Sequence, residues 1–346
     1  MASIADAAGN GLAISTRGLV KRYGDIVALD GLDLSVPTGV VYGFLGPNGA
    51  GKTTTMRILT SLIRPDAGRV ELLGRPFGRG DRRRLFDVGS LIESPAFYPF
   101  LSGRENLRAI AATGAPTPRG RIDEMLEIVG LRERAGDRVS AYSMGMKQRL
   151  GIAAALLSDP RLLLLDEPAN GLDPAGIVAM RDTLRRLAAA GKTVFVSSHI
   201  LGEVRQLADV VGIIARGKLV REGPLDVLLS SQATVRVRID DGDLERATAA
   251  LEALAGPDST ERLADPSAVW LSVRFDPDRA AEVNRALARA GVFAARLEAG
   301  AELESLFLEL TGDSPAVSTP DDPSATPPGT AATPPGAPRA PAGGVQ

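Results

Sequence analysis

Four stretches of the chain are apolar at nearly every position: 40–45 (Val-Val-Tyr-Gly-Phe-Leu), 88–92 (Val-Gly-Ser-Leu-Ile), 162–165 (four leucines) and 193–197 (Thr-Val-Phe-Val-Ser). A short run without polar alternation is how a strand covered on both faces reads. Helical patterns separate them. Thr55 to Leu62 follows the first run. Ser102 to Ala112 starts with a hydroxyl cap and has Glu105 three residues on. In Arg121 to Val129, Ile122, Met125, Leu126 and Val129 share one face. Ser143 stands before a long helical run, and Ala175 to Ala190 and Leu201 to Ala208 are helical as well. Buried strands alternating with helices predict an α/β fold with a parallel sheet. Residues 93–158 read as a helical insertion in that sheet.

The flanks differ. From Leu12 to Val36, short apolar-rich strands alternate with turns expected at Gly18, Gly24 and Gly31, an antiparallel pattern. Asp81 to Arg84 reads as a solvated basic loop, and 210–220 as a hairpin turning at Arg216-Gly217-Lys218. Beyond 233 the pattern predicts a second, α+β unit: strand 234–239, helix 244–254, strand 269–275, helix 278–290, strand 292–297 and helix 303–310. Residues 1–11 are expected to be a disordered N-terminus, and 313–346 lack the apolar content for a core. The latter segment holds nine of the chain's 24 prolines and is expected to be disordered.

Composition narrows the classes. Hydrophobic residues make up 44% and charged residues 24%, with a net charge of −2. Nothing global suggests a nucleic-acid partner. There is no cysteine, which excludes disulfides and thiolate metal sites. No apolar stretch reaches the roughly 20 residues needed to span a bilayer, and the N-terminus lacks a signal peptide's basic and apolar regions. The expectation is a cytosolic chain, with any membrane part supplied by another.

The candidate chemistry sits where the buried strands end. After the strand at 40–45 comes Gly46-Pro47-Asn48-Gly49-Ala50-Gly51-Lys52-Thr53-Thr54. Strand, G-x-x-x-x-G-K-T, helix is the context in which glycines let backbone N–H groups face a polyphosphate. The helix end adds its dipole, Lys52 reaches the β/γ-phosphates, and Thr53 is a Mg²⁺ ligand. The leucine run ends in Asp166-Glu167. Two carboxylates there are hard to explain by packing. Asp166 is placed to hold Mg²⁺ through water, and Glu167 to orient or deprotonate an attacking water. The strand at 193–197 ends in Ser198-His199, the only histidine in the chain and a candidate phosphate sensor. Ser143 reads either as the N-cap of an ordinary helix or, with the small residues and free N–H groups at that end, as part of an anion site. Phe97, Tyr98 and Phe100 crowd a chain with only 14 aromatic residues, either as a small core under a loop or as an exposed patch.

Together these motifs resemble an ATP-binding subunit of the ABC transporter family. The phosphate loop 46–54, the signature Ser143-Met144-Gly145-Met146-Lys147-Gln148, the strand 162–167 and His199 occur in that family's order. The resemblance covers roughly 14–228. A GTPase would want an N-K-x-D motif, which is absent.

The resemblance implies a P-loop NTPase core with an antiparallel β subdomain and a helical subdomain. It implies ATP and Mg²⁺ as ligands and a head-to-tail pair formed with a second copy or a paralogous subunit. Ser143, Gly145 and Gln148 of one copy would then meet ATP on the other, with Asp173 in the loop that crosses the dimer. Tyr23 matches the adenine-stacking aromatic, Glu167 the catalytic carboxylate and His199 the γ-phosphate sensor. Glu93 departs from the glutamine most of the family has. Bacitracin- and lantibiotic-type exporters are similar in carrying Glu there, before a like Ser-Pro-Ala-Phe-Tyr-Pro segment. That would make Glu93 a metal ligand and the aromatic loop a contact to a transmembrane permease subunit. The implied role is an export ATPase for a drug or antimicrobial peptide, peripheral on the cytoplasmic membrane face. An importer subunit and a soluble non-transport ATPase of the same class are the alternatives.

Overall fold

Four consecutive leucines cannot all face one way in a strand, because successive side chains alternate. In the structure, a computed structural model, strand β7 (Leu162–Asp166) sends Leu162 and Leu164 into one hydrophobic core and Leu163 and Leu165 into another. The structure describes residues 11–78, 82–93, 95–114, 117–230, 233–263 and 268–301. The expectations for 1–10, for the helix at 303–310 and for the segment from 313 onward lie outside the described residues.

β7 is central to the main sheet. The sheet runs β10-β9-β3-β8-β7-β6, with β3 at Val41–Leu45, β6 at Val88–Leu91, β8 at Thr193–Ser198, β9 at Val210–Ala215 and β10 at Lys218–Pro224. All neighbours are parallel except the β9–β10 hairpin. β3, β7 and β8 are buried at every position, as their sequences predict.

A second, antiparallel sheet has the order β2-β1-β4-β5: β1 Leu12–Tyr23, β2 Ile26–Pro37, β4 Ala67–Leu72 and β5 Arg75–Phe77. The turns expected at Gly18 and Gly31 are not there. β1 and β2 run through those positions as two long strands, and only Gly24 turns the chain. Gly18 and Gly31 have φ of 58° and 75° and lie where the ladder slips register. A glycine in that region bends a strand without ending it. The basic loop expected near Asp81 is, from Arg82 to Asp87, a 3₁₀ turn.

The two sheets share a core of Leu19, Leu29, Leu32, Tyr42, Phe44, Leu162, Leu164 and Phe195 among others. Phe195 is fully buried, with ring centroids 5.3 Å from Tyr42 and 5.2 Å from Phe44. Helix α1 (Lys52–Leu59) also packs there through Met56, Ile58 and Leu59. On the other sheet face lie α2 (Gly103–Thr113), α3 (Arg121–Ile128), α4 (Met144–Ala155) and α5 (Pro174–Ala189). Ser102 caps α2 with the reciprocal Glu105 bond its sequence foretold. α6 (Leu201–Leu207) and α7 (Leu225–Ser230) close a smaller cluster with β9.

Residues 233–301 form a third sheet, β12-β13-β11-β14, antiparallel throughout. Chain order is β11 (Ala233–Ile239), α8 (Leu244–Ala255), β12 (Thr260–Leu263), β13 (Val269–Arg274), α9 (Ala280–Arg289), β14 (Arg296–Ala301). This is the split β-α-β-β-α-β arrangement. Ala247, Leu251, Val283 and Leu287 from the helices bury Val235, Val237, Leu271 and Val273 of the sheet. The sequence pattern misses β12, a Thr-Glu-Arg-Leu edge strand with no buried position. It also expects the last strand at 292–297. Val292 is 1% exposed, packed in the core just after α9, and the strand starts four residues later.

One polar pair ties the layers together. The Tyr42 hydroxyl donates to Glu222 Oε1 of β10 at 2.6 Å, and the Ser35 N–H of β2 donates to the same oxygen at 3.1 Å. Burial raises the Glu222 pKa, opposed by those two bonds. A carboxyl whose folded pKa lies above its unfolded value adds stability at acid pH that is lost as pH rises through the folded value. Glu222→Gln keeps an acceptor and removes that dependence. In urea melts from about pH 4 to about pH 7, the stability of the wild type should fall relative to Glu222→Gln. Phe195→Ala should cost about 3–5 kcal/mol by the same measurement, since it empties the aromatic stack.

Candidate functional site

Register decides what the strand ends place together. Leu45 of β3 is level with Ser198 of β8, Asp166 of β7 with Ser197, and Leu91 of β6 with Leu165. Each chain segment therefore leaves the sheet at the same edge. Gly46, Glu93, Glu167 and His199 all follow at the C-terminal ends, where open α/β sheets bind ligands.

The phosphate loop is shaped by close contact. A Cβ on Gly46 would stand 2.5 Å from the Ile214 carbonyl oxygen, and one on Gly51, at φ 111°, 2.7 Å from that of Ala28. Neither position tolerates a side chain. Asn48 and Gly49 are exposed at the tip, Pro47 is half-buried, and Ala50 is buried, its N–H donating to the Pro47 carbonyl at 3.2 Å. Helix α1 begins at Lys52, earlier than the sequence pattern suggests, so Thr53 and Thr54 lie in its first turn. That turn has no side-chain cap and no acidic residue. Its free N–H groups and positive dipole end suit an anion.

Lys52 is 6% exposed. Its Nζ donates to the carbonyls of Gly46 (2.7 Å) and Pro47 (3.2 Å) and lies 3.3 Å from Glu167 Oε1. Glu167 follows β7 at φ 47°, a left-handed conformation that costs a non-glycine residue on the order of 1–3 kcal/mol. Strain of this kind persists where surrounding bonds hold it. Here the Glu167 N–H donates to Ser197 Oγ at 2.9 Å, and Ser197 Oγ in turn donates to Asp166 Oδ1 at 2.5 Å. Thr53 Oγ1 donates to the other Asp166 oxygen at 2.7 Å. His199 Nδ1 meets Glu167 Oε2 at 2.8 Å, an N–H donor to the carboxylate in that tautomer. Behind them Ser198 Oγ donates to Glu203 Oε2 at 3.0 Å, and burial raises the Glu203 pKa.

Lys52, Thr53, Asp166, Glu167 and His199 are thus linked by hydrogen bonds and ion pairs into one cluster at the strand ends. Ser197 joins Asp166 to Glu167 and was not singled out; its one sequence signal is a hydroxyl near the end of an otherwise apolar buried strand. The residues fit ATP. A strand-loop-helix with unfilled N–H groups and a buried lysine suits a polyphosphate, and a hydroxyl beside a carboxylate is a hard-cation donor set.

Other candidates stand apart from this cluster. The Glu93 carboxylate pairs with Arg57 of α1. Tyr23 ends β1, 44% exposed, with Lys21 Nζ 5.5 Å from its ring centroid. Ser143 is an exposed N-cap of α4, its Oγ accepting from the Met146 N–H at 3.2 Å. Gly145 packs on Leu172, and Asp173 caps α5 by accepting from the Gly176 N–H at 3.1 Å. Among the described residues, no hydrogen bond or ion pair links this second patch to the phosphate loop. Gln148 is different from its signature neighbours. It lies more than a turn into α4 and is 5% exposed, inside the helical layer and not at the helix end. The aromatic loop divides: Phe97 packs on the core, while Tyr98 and Phe100 are 57% and 66% exposed and pair with each other at 5.7 Å.

Known proteins resemble this chain in sequence and in fold. The sequence profile of the ABC transporter family matches residues 29–170. A bacitracin transport ATP-binding protein, BcrA of Bacillus licheniformis, is 50% identical over 216 residues, covering 62% of this chain and 71% of that protein. The daunorubicin resistance ATP-binding protein DrrA3 of Streptomyces coeruleorubidus is 39% identical over 321 residues, covering 87% and 96%. Among solved structures, an ATP-binding subunit of an ABC transporter superposes with a TM-score of 0.58 at 27% identity, over 63% of this chain and 92% of that one. A dimeric bacterial ABC transporter cassette does so with 0.56 at 25% identity, over 61% and 98%. This chain belongs to the ABC transporter family, as one of its ATP-binding, ATP-hydrolysing subunits.

Proposed function

We propose that this chain powers an exporter whose transmembrane subunit is a separate chain, and that the cargo is a drug or antimicrobial peptide. Two lines support the reading. The first is the Lys52–Glu167–His199 cluster at the strand ends. The second is the naming of relatives for bacitracin transport and daunorubicin resistance, one matched along nearly its whole length.

The chemistry follows from the groups present. The N–H groups of Gly46 to Thr54 and the Lys52 ammonium bind the β- and γ-phosphates. The γ-phosphate draws Lys52 away from Glu167, and the carboxylate is released from its resting ion pair. Held by His199 and by the bond from its own N–H to Ser197, Glu167 then orients the attacking water and accepts its proton. With a proton on each ring nitrogen, His199 holds Glu167 through Nδ1 and donates to the γ-phosphate through Nε2. Thr53, Asp166 through water, and Glu93 would hold a magnesium ion, which would supply charge neutralisation to the phosphates.

The site is half of a pair. Ser143, Gly145, Gln148 and Asp173 act on nucleotide bound to a second copy or a paralogous subunit, and the exposed end of α4 supports this. Gln148 would contribute only if α4 shifts on pairing. Tyr23 stacks on adenine. Tyr98 and Phe100, aromatic and exposed, dock on the membrane subunit and hold the chain at the cytoplasmic face. We assign 12–228 to the ATPase cassette, 93–158 to its helical part and 233–312 to an accessory module.

Lys52→Ala should lower ATP turnover by about 10²-fold or more, since a preorganised charge on the transferred group is removed. Near wild-type hydrolysis in a phosphate-release assay would overturn the assignment. Glu167→Gln should slow turnover by about 10²- to 10⁴-fold while retaining nucleotide, and with ATP should elute as a dimer on size exclusion. A monomer with bound ATP would refute the composite site. For the export reading, a deletion strain should become more susceptible to one member of a drug and peptide panel, and should recover with the wild type but not with Lys52→Ala.

A further inference from the structure

Glu93 and Arg57 face each other across two elements that both serve the nucleotide site. Glu93 follows β6, two residues beyond Leu91, which is level with Leu165 of β7. Its backbone is left-handed, at φ 63°. Its carboxylate Oε1 is paired with Arg57 Nη2. Arg57 lies in α1 four residues after Thr53, so it shares a face of the helix one turn deeper. Thr53 itself is bonded to Asp166. Arg57 thus lies one helical turn from Thr53, whose hydroxyl and the Asp166 carboxylate fit a metal ion, and it holds the carboxylate of the segment that leaves β6 at the same sheet edge. The side chains are 37% and 56% exposed, so the pair is screened and exchangeable and not locked.

A carboxylate drawn toward a guanidinium through one oxygen is drawn away from a cation on its other side, because each positive charge pulls it its own way. A divalent ion beside Thr53 and Arg57 one turn away are competing positive charges for the same oxygens. A glutamine at 93 would feel neither strongly; a glutamate makes the competition ionic. We propose that Arg57 is a positioning residue which holds Glu93 in reserve when no metal-nucleotide is bound, and which sets the Mg²⁺ concentration at which Glu93 transfers to the site. The proposal rests on the nucleotide-site assignment above and deepens it.

The test is binding, not turnover. The full-length chain is titrated with a fluorescent, non-hydrolysable ATP analogue at graded Mg²⁺, and the Mg²⁺ giving half-maximal binding is read. Arg57→Met frees Glu93 and should lower that concentration by about two- to fivefold, the range expected for releasing an exposed ion pair. Arg57→Lys keeps a cation and should shift it less. In a Glu93→Gln background, Arg57→Met should produce no shift. Melting curves confirm that each variant is folded, which the half-exposure of both side chains favours. An unchanged Mg²⁺ midpoint in Arg57→Met with nucleotide binding intact overturns the proposal and leaves the site assignment standing. So does an equal shift with and without the Glu93 carboxylate. Failure of the wild type to bind the analogue, or binding indifferent to Mg²⁺, overturns the site assignment and the proposal with it.

Discussion

The parallel register of β3, β8, β7 and β6 is the constraint on which the chemistry depends. The phosphate loop precedes the pair of carboxylates by more than 100 residues, and the histidine follows Glu167 by 32. They meet because Leu45, Ser198, Asp166 and Leu91 stand at one sheet edge. A one-residue slip in any pair would turn alternate side chains to the wrong face and empty both cores at once. The cost of such a slip is high because both faces are buried: Leu162 and Leu164 pack on the antiparallel sheet, and Leu163 and Leu165 on the helices. Stability and function are thus held by the same leucines.

Each charged group named at that edge has a partner within the chain. Lys52 pairs with Glu167 and donates to two loop carbonyls, Asp166 accepts from Thr53 and Ser197, and, apart from these, Glu93 pairs with Arg57. Charges in a partly buried site need such partners, because leaving one unpaired is costly. Nucleotide binding must exchange these internal partners for phosphate oxygens and a metal ion. In the proposed mechanism the carboxylates freed in the exchange are Glu167 and Glu93.

Much of this was legible in the sequence where local signals are strong. Apolar runs marked β3, β7 and β8, the Ser102–Glu105 box marked a helix start, and the glycine-lysine spacing marked the phosphate loop. The signals failed where conformation is set by distant neighbours. Gly18 and Gly31 look like turn residues, but the partner strands carry the chain through them as bulges. β12 is too short and too polar to stand out, and exists because β13 offers it an edge. Val292 belongs to a strand by type and to a helix-capping core by position.

The sequence by itself determined the class of fold, the nucleotide chemistry and the identity of nearly every group in the cluster. Residue type and spacing dictate these locally, through backbone freedom, charge and strand periodicity. Only the tertiary structure decided the partners. Ser197 became the joint between two carboxylates through sheet register, Gln148 went inside through helix packing, and Tyr98 and Phe100 separated from Phe97 through the loop's path. Glu93 found Arg57 because a strand end and a helix turn converge across 36 residues. Pairings of that kind depend on where two segments come to rest in space, and no periodicity in either segment encodes them.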